Sequence, residues 1–309
     1  MNGRTGSALR LSAIVPATDE PADLARCLAA IRAADEPPDE LIVVETASQP
    51  GPAAARNEGA DRAGGDVLVF VDADVLPHTD VFRRIRTAFA ADPALTALFG
   101  SYDASPEAPD AVSGFRNLLH HFVHQSSGGS ATTFWAGLGA VRRDAFTRAG
   151  GFNATRYREP SIEDIELGMR LFAAGEQLEL DPALQGTHLK RWTLANMIHT
   201  DFSRRGVPWV VLLADEGAAP TGLNLGWRHR LSAVASLTAA GALIARRPRT
   251  AAVAAGALVA LNAPFYRLLL ERRGPSQAAT GVLLHVVHHL TAVSAVPAGL
   301  AAHRRRARG

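Results

Sequence analysis

Short apolar runs alternate with amphipathic stretches in the N-terminal third of this 309-residue chain, and this alternation most constrains the fold. It predicts the order βαβαβ, with strand Leu11–Val15, helix Pro21–Ala34, strand Leu41–Val44, helix Pro52–Ala63 and strand Val67–Val71. Continuous apolar strands between helices are typical of an α/β fold, in which helices cover both faces of a mostly parallel sheet. Ligands bind such sheets at the carboxyl ends of the strands.

Polar side chains follow each predicted strand. Thr18 comes after the first strand, Glu45 after the second, and Asp72 and Asp74 after the third. No glycine-rich dinucleotide-binding motif follows the first strand, which argues against a dehydrogenase. Carboxylate oxygens suit a hard divalent cation such as Mg²⁺ or Mn²⁺, and substrate phosphates usually complete its coordination. The sequence therefore indicates a metal site at Asp72 and Asp74.

The alternating pattern continues beyond these carboxylates. It predicts a helix carrying Val81, Ile85 and Phe89, a strand at Leu95–Tyr102, a helix carrying His120, His121 and His124, a strand at Phe134–Val141 and a helix at Ile165–Ala174. The histidine-bearing helix places two imidazoles one turn apart, but no third ligand accompanies them. A zinc site is therefore not favoured there.

The last third of the chain is apolar and basic, and beyond residue 217 its only acidic residue is Glu271. Three Ala-, Val- and Leu-rich stretches, 231–245, 251–270 and 278–302, approach the length of a bilayer crossing. Arginines flank every stretch, so charge does not decide whether two or three cross, or whether a hairpin joins an interfacial segment. A soluble helical cap is the alternative. We expect an N-terminal domain at 1–222 and a hydrophobic helical region at 223–309.

Several short motifs recur in a characteristic order. They are Glu40-Leu41-Ile42-Val43-Val44-Glu45, Ala55-Arg56-Asn57-Glu58-Gly59-Ala60, Gly65-Asp66, Val71-Asp72-Ala73-Asp74, Gly150-Gly151-Phe152-Asn153 and Glu163-Asp164-Ile165-Glu166-Leu167. In this order and spacing the chain resembles the membrane-associated bacterial type of family 2 glycosyltransferase, which has the GT-A fold. The resemblance covers about residues 10 to 210.

The resemblance implies a donor and metal site at the ends of the predicted strands. Asp74 would bind a divalent cation, Mg²⁺ or Mn²⁺, and Asp72 would support the nucleotide ribose or the metal's water shell. The nucleoside would lie against Pro16, Ala17 and Thr18. Glu45 would contact the base or ribose, although many relatives have aspartate at this position. Arg56 would approach the base or diphosphate; alternatively, it is a surface arginine of an amphipathic helix.

The resemblance also implies catalytic and acceptor residues. Asp164 would be the general base that deprotonates the acceptor hydroxyl, and Glu163 beside it would belong to the acceptor or diphosphate site. Lys190, Arg191 and Trp192 are similar to a basic-aromatic element that contacts the diphosphate and acceptor sugar. The chain lacks a clear glutamine-rich version of this element, so transfer of a single sugar is expected rather than polymerisation. Trp135 offers a stacking face for a sugar or lipid, or is a core residue.

The expected activity is therefore inverting, metal-dependent transfer of one sugar from a nucleotide-diphosphate sugar to a lipid-linked or other hydrophobic acceptor. We expect the catalytic domain on the cytoplasmic side of the cell membrane. A net charge of +2 gives no reason to expect a nucleic-acid partner. Two alternatives stay open: a nucleotidyltransferase, although Pro16 to Glu20 replace its glycine-rich phosphate loop, and a degenerate membrane-anchored scaffold.

Overall fold

The structure is a computed structural model that describes residues 9–19, 21–216 and 226–306. The strands are β1 (Leu11–Pro16), β2 (Glu40–Val44), β3 (Val67–Val71), β4 (Val75–Pro77), β5 (Leu95–Tyr102), β6 (Gly129–Ser130), β7 (Leu138–Arg142) and β8 (Gln177–His188). The first helices are α1 (Leu24–Arg32), α2 (Pro52–Arg62), α3 (Val81–Ala91), α4 (Ala111–Gln125), α5 (Arg143–Arg148) and α6 (Glu163–Ala173). The later helices are α7 (Leu194–His199), α8 (Val207–Glu216), α9 (Trp227–Ile244), α10 (Pro248–Leu261) and α11 (Ala263–Arg306), and the π-helical stretch Thr200–Gly206 joins α7 to α8.

The chain forms two compact units. The first consists of Met1–Ser101 and Gly128–Thr187, and the second of Tyr102–Ser127 and His188–Gly309. The sequence suggested instead a division between residues 222 and 223, which lie outside the described ranges. The difference arises because α4, although it lies between two strands of the sheet in sequence, packs against α11 in the second unit.

The first unit contains a mixed sheet with the strand order β2-β1-β3-β7-β5-β8-β4, and β6 pairs with β8. Strand β1 runs parallel to both β2 and β3, as the predicted βαβαβ order requires. Strand β7 runs antiparallel to both β3 and β5. Every residue of β3 is fully buried, which accounts for its unbroken apolar sequence. The fold is therefore the α/β fold that the sequence predicted.

The second unit is helical. Its core joins Phe115, Leu118 and other apolar residues of α4 to Phe265, Leu269 and Leu284 of α11. Helices α9 and α10 pack against each other. Helix α11 is kinked at Gly274, whose φ of 77° favours glycine, and Pro275 follows. The helix bounds thus differ from the predicted apolar stretches.

Among the described residues, one helix, Ala263–Arg306, is long and apolar enough to cross a membrane. This criterion rests on length and composition, which a core helix of a soluble protein also satisfies. Helix α11 has both buried and exposed apolar residues, because Phe265 is fully buried whereas Leu283 is 68% exposed. Outward apolar side chains also occur on α9 and α10, where Val234 and Val253 are exposed.

Candidate active site

The carboxyl ends of β1 and β2 form one edge of the site in the first unit. The backbone N–H of Ala17 donates to the carbonyl of Val44 at 2.9 Å, which fixes the chain just beyond both strands. Ala17 is buried, whereas Thr18 and Glu45 are exposed. Pro16, the last residue of β1, is half-buried beside them. The two segments assigned to the nucleoside thus emerge side by side, and their nucleotide contacts stay predictions.

Asp72 and Asp74 occupy a tight turn between β3 and β4. The N–H of Val75 donates to the carbonyl of Asp72 at 3.0 Å, which closes the turn. Both aspartates are half-buried. The thiol of Cys27 lies 3.6 Å from the Asp72 carbonyl oxygen, and burial together with the negative charges of both aspartates raises the pKa of this thiol to about 12. The turn is therefore strongly electronegative.

Arg56 of α2 lies between two carboxylates. Its Nη2 is 2.6 Å from Oδ1 of Asp72, and its Nη1 is 2.8 Å from Oε1 of Glu163. Its guanidinium carbon also lies 5.6 Å from the centre of the Phe152 ring. Burial opposes the charge, but the surrounding carboxylates raise the pKa of Arg56 above its usual value. Arg56 is only 5% exposed, so it is not a surface arginine.

The start of α2 explains how an arginine reaches this position. Gly51 precedes the helix with a φ of 97°, a conformation that glycine tolerates best. A Cβ atom at Gly51 would collide with the carbonyl group of Arg158, so the chain must pass close to that segment. Pro52 then begins the helix without leaving an unsatisfied N–H group. This entry fixes the start of the helix that carries Arg56, whose two terminal nitrogens each contact one carboxylate.

Asp164 lies at the N-terminus of α6. Its Oδ1 accepts a hydrogen bond from the N–H of Ile165 at 2.8 Å, and its Oδ2 accepts one from the N–H of Ala136 at 3.1 Å. Burial and the neighbouring charge of Glu163 raise its pKa to about 6, although Arg56 and the two N–H groups act in the opposite direction. A carboxylate in this pKa range is suited to accept a proton near neutral pH.

Residues 135–137 connect Asp72 to Asp164. The N–H of Asp72 donates to the carbonyl of Gly137 at 3.0 Å, while the neighbouring Ala136 donates to Asp164. The indole ring of Trp135 lies so close to Gly137 that a Cβ atom there would collide with it. Trp135 itself is half-buried. The backbone of Asp72 and the carboxylate of Asp164 thus bond to neighbouring residues of one segment, a relationship that the sequence did not reveal.

Glu163 has a defined position that the motif alone did not predict. It is 4% exposed, and its Oε1 pairs with Arg56 while its Oε2 accepts a hydrogen bond from the N–H of Ser161 at 2.9 Å. Its assignment to the acceptor or diphosphate stays a prediction. The contacts show that Glu163 links α6 to α2, and no sequence signal indicated this pair, whose members lie 107 positions apart.

Lys190, Arg191 and Trp192 belong to the second unit. The lysine and arginine side chains are exposed, whereas Trp192 is 9% exposed. The ammonium nitrogen of Lys190 lies 5.0 Å from the centre of the Trp192 ring, and the guanidinium carbon of Arg116 lies 5.1 Å from it. Their predicted contacts with diphosphate and acceptor stay predictions.

The carboxylate oxygens of Asp72 and Asp74 suit a hard divalent cation whose coordination is completed by a substrate. Among residues 9–19, 21–216 and 226–306, no group of three His, Cys, Asp or Glu side chains is arranged to hold a metal ion. Asp72 and Asp74 offer carboxylate oxygens from one turn, and Mg²⁺ or Mn²⁺ commonly binds through one or two carboxylates plus phosphate oxygens. The pair is compatible with a cation that arrives with a diphosphate.

Some known proteins are similar to this chain in sequence, and others are similar in fold. The family model described as glycosyl transferase family 2 matches residues 45–149, which include Arg56 and both aspartates of the turn. Pre-mycofactocin glycosyltransferases from the Mycobacterium tuberculosis strains CDC 1551 / Oshkosh and ATCC 25618 / H37Rv are 26% identical over 166 residues, or 52% of this chain and 34% of theirs. The chain therefore spans about a third of the length of these curated relatives.

A solved structure shares the fold. The mannosyltransferase from Pyrobaculum calidifontis, in complex with GDP-Man and Mn²⁺, has a TM-score of 0.52 and 19% identity, covering 94% of this chain and 88% of that one. This similarity supports the GT-A architecture, in agreement with the strand order and the site at the ends of β1, β2 and β3. With the family match, it leads to one conclusion: residues 45–149 are similar to the family 2 glycosyltransferases, and the chain shares the GT-A fold.

Proposed function

We propose that this protein transfers one sugar, with inversion, from a nucleotide-diphosphate sugar to a lipid-linked or other hydrophobic acceptor. The observation that carries the proposal is the arrangement around Arg56, which binds Asp72 of the electronegative turn and also Glu163, the residue before Asp164. The residues assigned to the metal and to the general base therefore meet in one unit. A nucleotide-sugar donor is favoured by the sequence similarity to pre-mycofactocin glycosyltransferases and by the shared fold of a mannosyltransferase that binds GDP-Man.

Asp164 is the proposed general base. Its ionised carboxylate takes the proton of the acceptor hydroxyl while the hydroxyl oxygen forms a bond to the anomeric carbon. The bond from that carbon to the diphosphate oxygen breaks, and the leaving nucleoside diphosphate takes the electron pair. Each Asp164 oxygen accepts one backbone N–H bond and retains a lone pair for the proton. A single in-line displacement needs one base rather than the carboxylate pair of a glycosidase.

Asp74 and Asp72 are the residues proposed to hold a divalent cation, with Asp74 as the principal ligand because of its position in the motif Asp72-Ala73-Asp74. A bound Mg²⁺ or Mn²⁺ neutralises charge on the leaving diphosphate. The Mn²⁺ in the mannosyltransferase complex supports a divalent cation. Arg56 fixes the Asp72 carboxylate and supplies a buried positive charge near the diphosphate. Pro16, Ala17, Thr18 and Glu45 are the proposed nucleoside contacts.

Trp135 is a proposed acceptor contact of the first unit. Separately, Lys190, Arg191 and Trp192 are proposed diphosphate or acceptor contacts of the second unit. Transfer of a single sugar is proposed because the glutamine-rich element of processive relatives has no clear counterpart here. The hydrophobic character of the acceptor is inferred from the C-terminal helices, whose exposed apolar residues include Val234, Leu237 and Leu283. These helices are proposed to attach the protein to the cytoplasmic side of the cell membrane.

The experiment that tests this function compares donor hydrolysis and sugar transfer by the full chain and two variants. Purified protein is incubated with Mn²⁺ and a panel of GDP- and UDP-hexoses, with a membrane lipid extract as acceptor source. Asp74→Ala is expected to abolish hydrolysis and transfer, whereas Asp164→Asn is expected to bind nucleotide normally and to lose transfer. Asp61→Ala, which alters an exposed residue of α2, serves as the control.

The product's anomeric configuration, read by NMR, tests inversion: an α-linked donor should give a β-linked product. Full transfer by Asp74→Ala would contradict the metal assignment. If Asp164→Asn lost nucleotide binding and transfer equally, the general-base role would be wrong.

A further inference from the structure

Trp192 is anchored from several sides within the second unit. Its backbone N–H donates to Oγ of Ser113 at 2.7 Å, and the guanidinium of Arg116 lies over its ring. Both partners are residues of α4. Lys190 and Arg191, which are exposed, directly precede this buried indole. The position of their charges therefore depends on how firmly Trp192 is held.

Arg116 is held in turn by a buried carboxylate. Its Nη1 lies 3.1 Å from Oδ1 and 3.3 Å from Oδ2 of Asp201. Both residues are less than one-tenth exposed. Burial disfavours the Asp201 charge, but Arg116, His288 and Arg205 outweigh this effect and lower the pKa of Asp201 to about 2. Both carboxylate oxygens hold the single nitrogen Nη1, and this buried ion pair restrains the guanidinium that lies over the indole ring.

The second partner of Asp201 lies on the last helix. Nδ1 of His288, from α11, is 2.7 Å from Oδ2 of Asp201. The contacts therefore run from α11 through Asp201 and Arg116 to Trp192. Removing the Asp201 charge would leave Arg116 as a buried, unpaired cation, which costs far more than an exposed one.

The local backbone around Asp201 is unusual. Asp201 lies in the π-helical stretch Thr200–Gly206, and such stretches are frequent at functional sites. Gly206 makes a close approach possible there, because a Cβ atom at this position would collide with the Asp201 carbonyl oxygen and with Ala295 of α11. A regular α-helix would have placed the carboxylate differently, so the irregular stretch serves to direct Asp201 between α4 and α11.

We propose that Asp201 is a positioning residue for diphosphate binding: by holding Arg116 against Trp192, it fixes the exposed charges of Lys190 and Arg191 for a diphosphate group. The inference rests on the proposed function, because that function assigns diphosphate contacts to this segment. Asp201 itself touches no substrate. Its effect passes through Arg116 and Trp192.

The first test asks whether Asp201 positions Trp192, and it needs no ligand. The full chain is labelled with 5-fluorotryptophan, and the ¹⁹F resonance that Trp192→Phe lacks is assigned to Trp192. We expect Asp201→Asn to shift or broaden this resonance. Asp215→Asn is the matched control, because Asp215 of α8 also pairs with a histidine of α11, His303, at 2.8 Å but lies outside the contacts to Trp192. An unchanged Trp192 resonance in Asp201→Asn would overturn the proposal.

The second test asks whether the position of Trp192 affects the binding of pyrophosphate. Inorganic pyrophosphate is titrated into the full chain in EDTA, so that no metal site contributes. Loss of a supporting contact commonly weakens binding by about tenfold, and we expect this loss for Asp201→Asn but not for Asp215→Asn. Arg116→Lys keeps the positive charge but loses the planar fork, so it should also weaken binding if Asp201→Asn is too unstable to measure. Wild-type affinity in correctly folded Arg116→Lys would contradict the proposal.

The positioning role of Asp201 and the proposed transferase activity can be contradicted independently. If wild-type protein does not bind pyrophosphate in EDTA, or Arg191→Ala binds it normally, the positioning role of Asp201 is wrong. The proposed transferase activity depends instead on metal-dependent donor hydrolysis at Asp74. That activity can persist when the pyrophosphate test fails.

Discussion

Nη2 of Arg56 lies 2.6 Å from Oδ1 of Asp72, so the first aspartate of the electronegative turn is paired with a buried arginine. The same guanidinium pairs with Glu163, whose side chain is 5% exposed. Arg56 therefore fixes the Asp72 carboxylate and links the turn after β3 to the start of α6.

Loss of Arg56 should be costly because it leaves Glu163 as an uncompensated buried charge. We expect Arg56→Met to lower the free energy of unfolding by about 3–5 kcal/mol. Adding Glu163→Gln should recover part of this loss. Urea denaturation of the single and double variants measures both effects.

An exposed arginine provides the control for this experiment. Arg148 pairs with Asp144 and Glu176, but its side chain is 60% exposed. Arg148→Met should therefore cost far less unfolding free energy than Arg56→Met. Equal losses for Arg56→Met and Arg148→Met would show that the buried network contributes no more than a surface ion pair.

The raised pKa of Asp164, about 6, predicts the pH dependence of transfer. A general base must be ionised, so kcat should fall as the pH decreases through about 6, and Asp164→Asn should lose about 10²–10⁴-fold in kcat. A pH–rate profile of transfer checks both expectations. A rate independent of pH between 5 and 8, with chemistry limiting, would contradict this role.

The same pKa predicts a change in stability. Because the folded-state pKa of Asp164 lies above its ordinary value of 3.8, its contribution is fully present below the ordinary pKa and is lost as the pH rises through about 6. Relative to Asp164→Asn, the wild type should lose about 1–2 kcal/mol of unfolding free energy between pH 4 and pH 7. Parallel urea titrations at several pH values measure the difference. An identical pH dependence in both proteins would contradict the raised pKa.

Gly168 permits the close packing that places Asp164 beside Ala136. A Cβ atom at Gly168 would collide with the backbone of Thr133 and Phe134. Gly168→Ala should therefore displace α6 and lower both stability and transfer. Gly256→Ala is the matched control, since a Cβ at this helical glycine meets no atom within 4 Å and should be neutral or stabilise by up to about 1 kcal/mol. Thermal unfolding and transfer assays separate the two variants.

The C-terminal helix α11 contributes to the core of the second unit. Replacing its buried and its exposed apolar side chains by alanine should therefore have different effects on stability. Phe265 is fully buried and lies 5.8 Å from Phe115 between ring centres. Phe265→Ala should cost about 3–5 kcal/mol. Leu283→Ala, on the same helix but 68% exposed, should cost far less. Guanidinium unfolding in one detergent compares them.

Deletion of everything after Gly222 tests the same organisation. If residues 1–222 formed an independent domain, this deletion would leave it folded, but α4 would lose the packing of Phe265 and Leu269 against Phe115. We therefore expect exposure of apolar surface and aggregation. A monodisperse, fully folded fragment would contradict the division into units that the structure shows.

Much of the first unit followed from local sequence. Strand β3 has the predicted bounds, because five consecutive apolar residues signal a fully buried strand. The predicted strand Leu95–Tyr102 also has the observed bounds. By contrast, β8 (Gln177–His188) was not predicted. Its buried residues alternate, but Pro182 and Gly186 interrupt the sequence signal of a strand.

Contacts between distant parts of the chain could not be predicted from sequence. The pairing of Arg56 with Glu163 joins residues 107 positions apart. The packing of α4 in the helical unit depends on apolar residues of α11, and nothing in the local pattern of α4 indicates its partner. The motifs identified the candidate site residues. The three-dimensional packing shows which contacts fix their positions.

We propose that Asp74 is required for a nucleoside diphosphate to bind together with a divalent cation. A thermal-shift screen of GDP, UDP and other nucleoside diphosphates, each with and without Mn²⁺, tests it most directly. For the wild type we expect one nucleotide to raise the Tm only with Mn²⁺, since a ligand at 100 times its Kd stabilises by about 2.7 kcal/mol. Asp74→Ala should lose this shift and Asp61→Ala should keep it. No shift with any nucleotide, or an equal shift in Asp74→Ala, would contradict the claim.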